Sequence, residues 1–203
     1  HEAPMRIIFS RKGFDSAAGG GPSPIFAGRP VSLPIPAGAA SRTTYGDLGL
    51  GAYAAAASRG RLGAEDLCHH DPMFLPDGTC LFGQCGAAQT HLANQGVGVG
   101  DVFLFFGLFR EEGGEPHHRI FGYLEVEEIA VLGDGVPGHL VERGHPHALA
   151  LHAANDVVYA GAGEEARHAA DGLRLTVAGG PPSLWNRPGW LKRGGLSYHD
   201  RAA

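Results

Sequence analysis

Lysine is almost missing from this chain of 203 residues. Only Lys12 and Lys192 occur, and arginine supplies the rest of the 16 basic residues. Against 21 acidic residues they leave a formal net charge of −5, which excludes a binder held to nucleic acid by bulk charge. A site that grips one base or a few phosphates locally is untouched by that argument. No apolar run reaches the roughly 18 residues that a membrane-spanning helix needs, so no membrane partner is expected. Nor does a charged segment followed by an apolar run open the chain, which points to the cytoplasm rather than to a secretion route. Cysteine is scarce too. Three residues without a disulfide spacing fit a reducing compartment. Cys68-His69-His70-Asp71 with Cys80 and Cys85 invites a zinc reading, but the cysteines lack the C-x2-C knuckle of structural zinc sites, and the adjacent His69 and His70 do not easily fold onto one ion. These read as free thiols beside a surface histidine pair, and no metal or cofactor is expected.

Glycine and proline are abundant instead, 33 and 14 residues, a share that verges on the disordered range. A hydrophobic fraction of 43% is enough for a core, so the chain reads as a single compact domain over 5–203 with long, turn-rich loops. His1 to Pro4 precede Met5 and are left out of that reading. Arg6–Ser10 (RIIFS) has the apolar, β-branched character of a buried strand. Asp101–Phe109 (DVFLFFGLF) is the strongest strand, apolar on both faces, and places Phe103, Phe105, Phe106 and Phe109 in the core. It is expected to pair with Arg119–Val131 as an antiparallel hairpin across a charged loop, Glu111–His118. Asp156–Ala160 and Leu173–Ala178 read as further strands, and Pro30–Pro36 as an edge strand at best, because Pro34 interrupts it. Asp47–Arg61 and Gly83–Gln95 have helical composition, with Gly96 as a stop. Cys68–Cys80 and Gly133–Gly144 read as loops, and Ser183–Trp190 with Leu196–His199 as an aromatic tail. Five to seven short strands with one or two helices that do not alternate with them favour an α+β barrel or sandwich over a doubly wound sheet.

The densest polar stretch follows the first strand. Arg11, Lys12, Asp15, Ser16 and Ser23 stand among glycines that let a ligand approach the backbone. Arginine and lysine together suit a phosphate or carboxylate, and an aspartate there either orients the arginine or accepts a proton. The plainer reading is a salt bridge pinning a glycine-rich loop. Gly19-Gly20-Gly21 has neither the ending of a Walker loop nor the helix that follows a dinucleotide fingerprint. His145-Pro146-His147, with His152 nearby, puts two imidazoles on one face of an extended segment, either for base or phosphate contact or as solvated groups beside a turn. His117-His118 reads as loop. Trp185, Trp190 and Tyr198 either staple the tail to the body or wall a pocket for a planar ligand.

Two resemblances attach to these residues. Gly100-Asp101-Val102-Phe103-Leu104-Phe105-Phe106 followed by Phe121-Gly122-Tyr123-Leu124-Glu125-Val126 resembles the PUA-like barrel group, which includes the EVE, ASCH and YTH domains. Many of those hold a nucleic-acid base, often a modified one, in a pocket. FSRKGFDSAAGGGPSPI (9–25), SLPIP (32–36), TTYGDL (43–48), FGQCGAAQTHL (82–92), IFGYLEV (120–126), HPH (145–147), SLW (183–185) and LSYH (196–199) are together similar to the nucleotide-modification-associated domain family, the third of that numbered series. That family is placed near DNA-modification systems. The fold implied is α+β, a PUA-like β-barrel with short helices and long Gly/Pro-rich loop decorations. The polar residues embedded in the matching stretches form the candidate set: Ser10, Arg11, Lys12, Ser23, Tyr45, Asp47, Gln84, Gln89, Arg110, His145, Trp185 and Tyr198 for ligand binding, with Asp15 and His147 as catalytic candidates.

Three functions of different classes fit this set. The leading one is a module that holds a nucleic-acid base or nucleotide, DNA favoured, with Arg11, Lys12 and Arg110 on phosphate. The alternative is an enzyme acting on a nucleotide or modified base, with Asp15 or Asp47 as base, His145 or His147 as acid, and Arg11 with Lys12 as an anion clamp. The third is an interaction domain that meets other modification-system proteins through the Trp185 and Trp190 surface. The first two predict that Arg11, Asp15, Gln84, Gln89, Arg110 and His147 line one pocket.

Overall fold

The computed structural model of the chain describes residues 4–38, 40–186 and the backbone of 196–198. Its strands are β1 (Ile7–Arg11), β2 (Ser23–Phe26), β3 (Arg29–Pro30), β4 (Met73–Phe74), β5 (Thr79–Gln84), β6 (Val102–Glu111), β7 (His117–Val131), β8 (Val157–Ala162) and β9 (Leu196–Tyr198). The helices are short: α1 (Gly51–Ala57), α2 (Gly86–Asn94), α3 (Gly138–Glu142) and α4 (Pro146–Leu149). All nine strands join one mixed sheet in the order β3-β2-β6-β7-β8-β5-β4, with β1 against β6 and β9 against β1. The class is α+β, with more strands and helices than the sequence suggested.

β6 and β7 form the expected antiparallel hairpin, Val102 facing Glu125 and Phe109 facing His117. The outer edge of β6 is shared. β1 runs parallel to its first half, Ile7 to Val102 through Arg11 to Phe106, and β2 to its last three residues. Residues 12–22, which join β1 to β2, are thereby thrown outward as a loop. The long β7 changes neighbours at Glu125, pairing with β6 before it and with β8 after it. The sheet curls. Phe82 on β5 lies 5.0 Å, centroid to centroid, from both Phe103 and Phe105 on β6, although β8 and β7 lie between them in the sheet. In a flat sheet those strands would stand about 14 Å apart, three spacings of 4.7–4.9 Å. Phe82, Phe103, Phe105, Phe121, Leu124 and Tyr159 fill the concave face. The opposite face carries Phe9, Phe106, Ile120 and Leu175 at one end and Met73, Leu81, Leu132, Leu140 and Val158 at the other. Residues 14–68 add a satellite core of Phe14, Val31, Leu33, Tyr45, Ala54 and Cys68.

Several expectations are corrected. The stretch Cys68–Cys80 is not all loop, since it contains β4 and opens β5. Gly83 and Gln84 belong to β5 rather than to a helix. They pair with Val158 and Val157 of β8, so α2 begins only at Gly86. The first helix is shorter than 47–61, because Thr44–Gly49 form a turn and Gly51 packs against Ala64. Only Pro30 of the 30–36 stretch enters a strand. Gly133–Gly144 holds α3 and a 3-10 turn at Leu132–Asp134. Leu173–Ala178 is not a strand. A 3-10 turn at Asp171–Leu173 leads only to single bridges, Arg174 with Arg119 and Thr176 with Trp185. His117 and His118 are not loop residues. They open β7 and are buried, and the His118 amide donates to Thr176 Oγ1 at 2.9 Å. Trp185 staples the tail to the body: it packs against Phe9 and Phe106, and its Nε1 donates to the Pro182 carbonyl at 3.0 Å. Trp190 lies outside the described residues, as does the side chain of Tyr198.

Two predictions follow from this packing. Phe82 is fully buried and touches Phe103, Phe105 and Tyr159, so Phe82→Ala is expected to cost about 3–5 kcal/mol, read as a lower urea midpoint. His117 is buried with both ring nitrogens occupied. Arg119 Nε donates to its Nε2 at 3.0 Å, and its Nδ1 faces the Glu115 carbonyl at 3.1 Å. Burial pushes its pKa below the ordinary 6.5. The folded ring stays neutral where the unfolded one takes a proton, so stability falls as the pH drops below 6.5. The melting temperature is expected to decline there, with a shallower slope in His117→Gln.

Candidate functional site

The ends of β1 and β5 and the start of β8 meet on one side of the sheet. A cleft of about 350 Å³ opens there, lined by Arg11, Lys12, Gly13, Asp15, His69, Asp71, Gly83, Gln84, Cys85, His147 and His152 among others. Asp71 forms its floor, with a side chain 2% exposed. Its Oδ1 accepts the Gly83 amide at 2.9 Å and faces His145 Nε2 at 3.1 Å. Its Oδ2 has His69 Nε2 and His147 Nε2 each at 3.6 Å. Burial would raise the pKa of Asp71, but His145, by charge and by its hydrogen bond, chiefly holds it well below the usual carboxylate range, so it is ionised.

The histidines owe their aim to local structure. The 145–147 segment is not extended as its sequence suggested. Pro146 takes the first position of α4, where its missing N–H costs nothing, and His145 caps the helix. The His147 amide donates to His145 Nδ1 at 3.3 Å, which leaves the proton on Nε2, toward Asp71. His147 Nδ1 is hydrogen-bonded to the fully buried Asp156, the residue before β8. Asp156 also accepts the His152 amide at 3.0 Å, and the His152 ring stacks on that of His147 at 4.3 Å. Burial lowers the pKa of His147, against the pull of both aspartates. Gly83 is required by this packing, because a Cβ there would overlap the His147 ring. The Cys85 thiol is pushed up by burial and by Asp156, which disfavours a thiolate nucleophile.

Opposite this floor stand the cations. Arg11 pairs with Asp15 at 3.4 Å, and Asp15 Oδ1 accepts the amides of Ala17 and Ala18 at 2.8 and 2.6 Å. Asp15 thus shapes its own loop and orients the arginine. Lys12 Nζ sits 4.7 Å over the Phe82 ring.

Of the expected pocket set, Arg11, Asp15, Gln84 and His147 line this cleft, with Lys12 beside them. Gln89 and Arg110 do not. Gln89 Oε1 accepts the Tyr159 hydroxyl at 2.7 Å inside the core, and the exposed Arg110 borders a separate groove near Phe26 and Tyr53. Ser10 is fully buried in β1, and Ser23 accepts the Leu33 amide at 3.0 Å. The buried Tyr45 donates to the Pro34 carbonyl at 2.7 Å. The exposed Asp47 closes a turn with Thr44, accepting its amide at 2.9 Å. Trp185 lies on the opposite face of the sheet, with Phe9 and Phe106. Sequence reasoning missed Asp156, and it set aside His69 and Asp71 after weighing them as zinc ligands. His69 and His70 were read as a surface pair; in the fold His69 faces this cleft, while His70 lines a second cavity of about 340 Å³ beside Tyr53 and Glu165. Two groups of donors suit a metal ion among the described residues: His69, Asp71 and His147, and Cys85, His147 and Asp156.

The fold and the cleft define an α+β domain with a buried histidine–aspartate centre under a cationic rim. The chain belongs to the nucleotide modification associated domain 3 family, whose profile matches residues 6–203. No curated protein and no solved structure matches it.

Gly83→Ala is expected to force the His147 ring from its place at a cost of about 1–3 kcal/mol. The check is a lowered melting temperature together with shifted imidazole resonances of His147.

Proposed function

We propose that this cleft binds a nucleotide, free or within a DNA strand, and that the histidine–aspartate centre acts on it. The carrying observation is the convergence, in one cleft of about 350 Å³, of Arg11 and Lys12 with Asp71, His69 and His147. Arg11, oriented by Asp15, and Lys12 take the phosphate. Gln84 offers an amide to a base edge. Asp71 and the imidazoles around it present the reacting groups, since clustered titratable side chains in a cleft are what chemistry on a bound substrate requires. Membership of a family associated with nucleotide modification supports a nucleotide as the substrate class. A PUA-like curl of the sheet agrees with this reading, provided the base sits at the strand ends, because phenylalanines fill the concave face. Modification-system proteins are the partners that such a domain would serve.

The reading is tested by titrating mononucleotides and short oligonucleotides, unmodified and base-modified, followed by product analysis by mass spectrometry. Arg11→Ala and Lys12→Ala are each expected to weaken binding about 10–100-fold, the worth of one charged hydrogen bond at 1.5–3 kcal/mol. Conversion of the nucleotide should vanish in His147→Ala. Binding without conversion under any condition would make the domain a reader instead. Binding that ignores both cation variants would remove the cleft from the account.

A further inference from the structure

Three donor atoms converge on the cleft side of Asp71. His69 Nε2 and His147 Nε2 each lie 3.6 Å from Asp71 Oδ2, and the three donors fall within 4.8 Å of one another. A separation of 3.6 Å is too long for a hydrogen bond. It is close to the edge of roughly 3.3 Å that ligands share around an ion held by bonds of about 2.0–2.2 Å.

Each donor is aimed by a partner behind it. His147 donates its Nδ1–H to Asp156, which leaves the lone pair on Nε2. Asp71 commits Oδ1 to His145 and the Gly83 amide, which leaves Oδ2 for the cleft. A lone pair on His147 Nε2 therefore confronts an anionic oxygen in a site where both side chains are 5% exposed or less. Two acceptors face to face are satisfied by a cation between them. A carboxylate behind a ligating histidine is the usual support of such an ion.

We propose that His69 Nε2, Asp71 Oδ2 and His147 Nε2 form a binding site for a divalent transition-metal ion of the zinc or ferrous class. Two imidazoles and one carboxylate are donors such ions take, unlike the oxygen sets of calcium and magnesium. Three protein ligands leave at least one position open, in a cleft that Arg11, Lys12 and Gln84 also line. That is where a phosphate oxygen or a water would complete the shell. Cys85, His147 and Asp156 form the lesser group, because Asp156 is already occupied by His147 and the His152 amide. The proposal rests on the reading of this cleft as the working site and adds the agent of its chemistry.

The test uses the whole chain, stripped with a chelator and then titrated with Zn²⁺, with Co²⁺, and anaerobically with Fe²⁺. Calorimetry counts the ions and the visible spectrum of Co²⁺ reports their ligands. One ion per chain is expected. His69→Gln, at the half-buried edge of the cleft, should weaken binding by at least about tenfold. Asp156→Asn, behind His147, should weaken it about 10–100-fold. His139→Gln, exposed on α3, should leave it unchanged. Absence of stoichiometric binding, or binding equally strong in His69→Gln, overturns the site. Nucleotide binding is measured separately on the stripped chain. Nucleotide bound without metal removes only the ion; metal bound and lost in His69→Gln, with no nucleotide bound, keeps the ion and removes the nucleotide.

Discussion

A buried carboxylate governs this structure. Asp71 is ionised at 2% side-chain exposure, a state that costs several kcal/mol per ion unless charge and hydrogen bonds offset it. The offset comes from far along the chain. His145 reaches Asp71 across 74 residues, and Gly83 gives its amide from across 12. His145 can do this because it caps α4, and the same cap sets the start of the helix that carries His147. His147 in turn is held from behind by Asp156 at the mouth of β8. Four segments are thus tied by one charge, and the centre of the cleft is also a node of the fold.

The sheet makes that meeting possible by curling. Phe82 crosses to Phe103 and Phe105, so the end of β5, with Gly83 and Gln84 just beyond Phe82, is brought near the end of β1, where Arg11 and Lys12 stand. The cation–π contact of Lys12 with Phe82 joins the two ends directly. Glycine enters here for a steric reason. At Gly83 the strand backbone runs against the His147 ring, leaving no room for a side chain. The apolar core and the polar cleft consequently share a wall, and the rigidity of one positions the other.

The β6–β7 hairpin was legible because the run Val102–Phe109, apolar on both faces, leaves few alternatives to a central strand. β5 was not. TCLFGQ is short, holds a glycine and runs directly into helical composition, so its strand character comes from pairing with β8, a partner more than 70 residues away. The cleft was half legible. Arg11, Lys12, Gln84 and His147 stood out as polar residues within ordered motifs. Asp156 did not, since nothing in the sequence links an aspartate before a strand to a histidine on another element, and Asp71 was visible only within a histidine run whose partner His145 lies 74 residues away. Gln89, Ser23 and Tyr45 show the converse. Each is polar and set in a matching stretch, yet each spends its hydrogen bond inside the body of the protein.

The scarcity of lysine takes on meaning beside this geometry. One of the two lysines of the chain stands at the cleft, next to an arginine fixed by Asp15. Under the proposed function, a formal charge of −5 repels a long polyanion at a distance, while Arg11 and Lys12 would attract a phosphate at contact range. The cleft volume of about 350 Å³ lies at the small end of ligand sites, which run from about 300 to 1,000 Å³. For the nucleotide ligand proposed above, charge and volume together would favour one nucleotide at a time, presented free or turned out of a strand, over a groove that follows a backbone. For such a ligand the phosphate would fix orientation at the rim, and selectivity and chemistry would fall to what lies deeper, where Gln84 and the ring of imidazoles around Asp71 are already held in place.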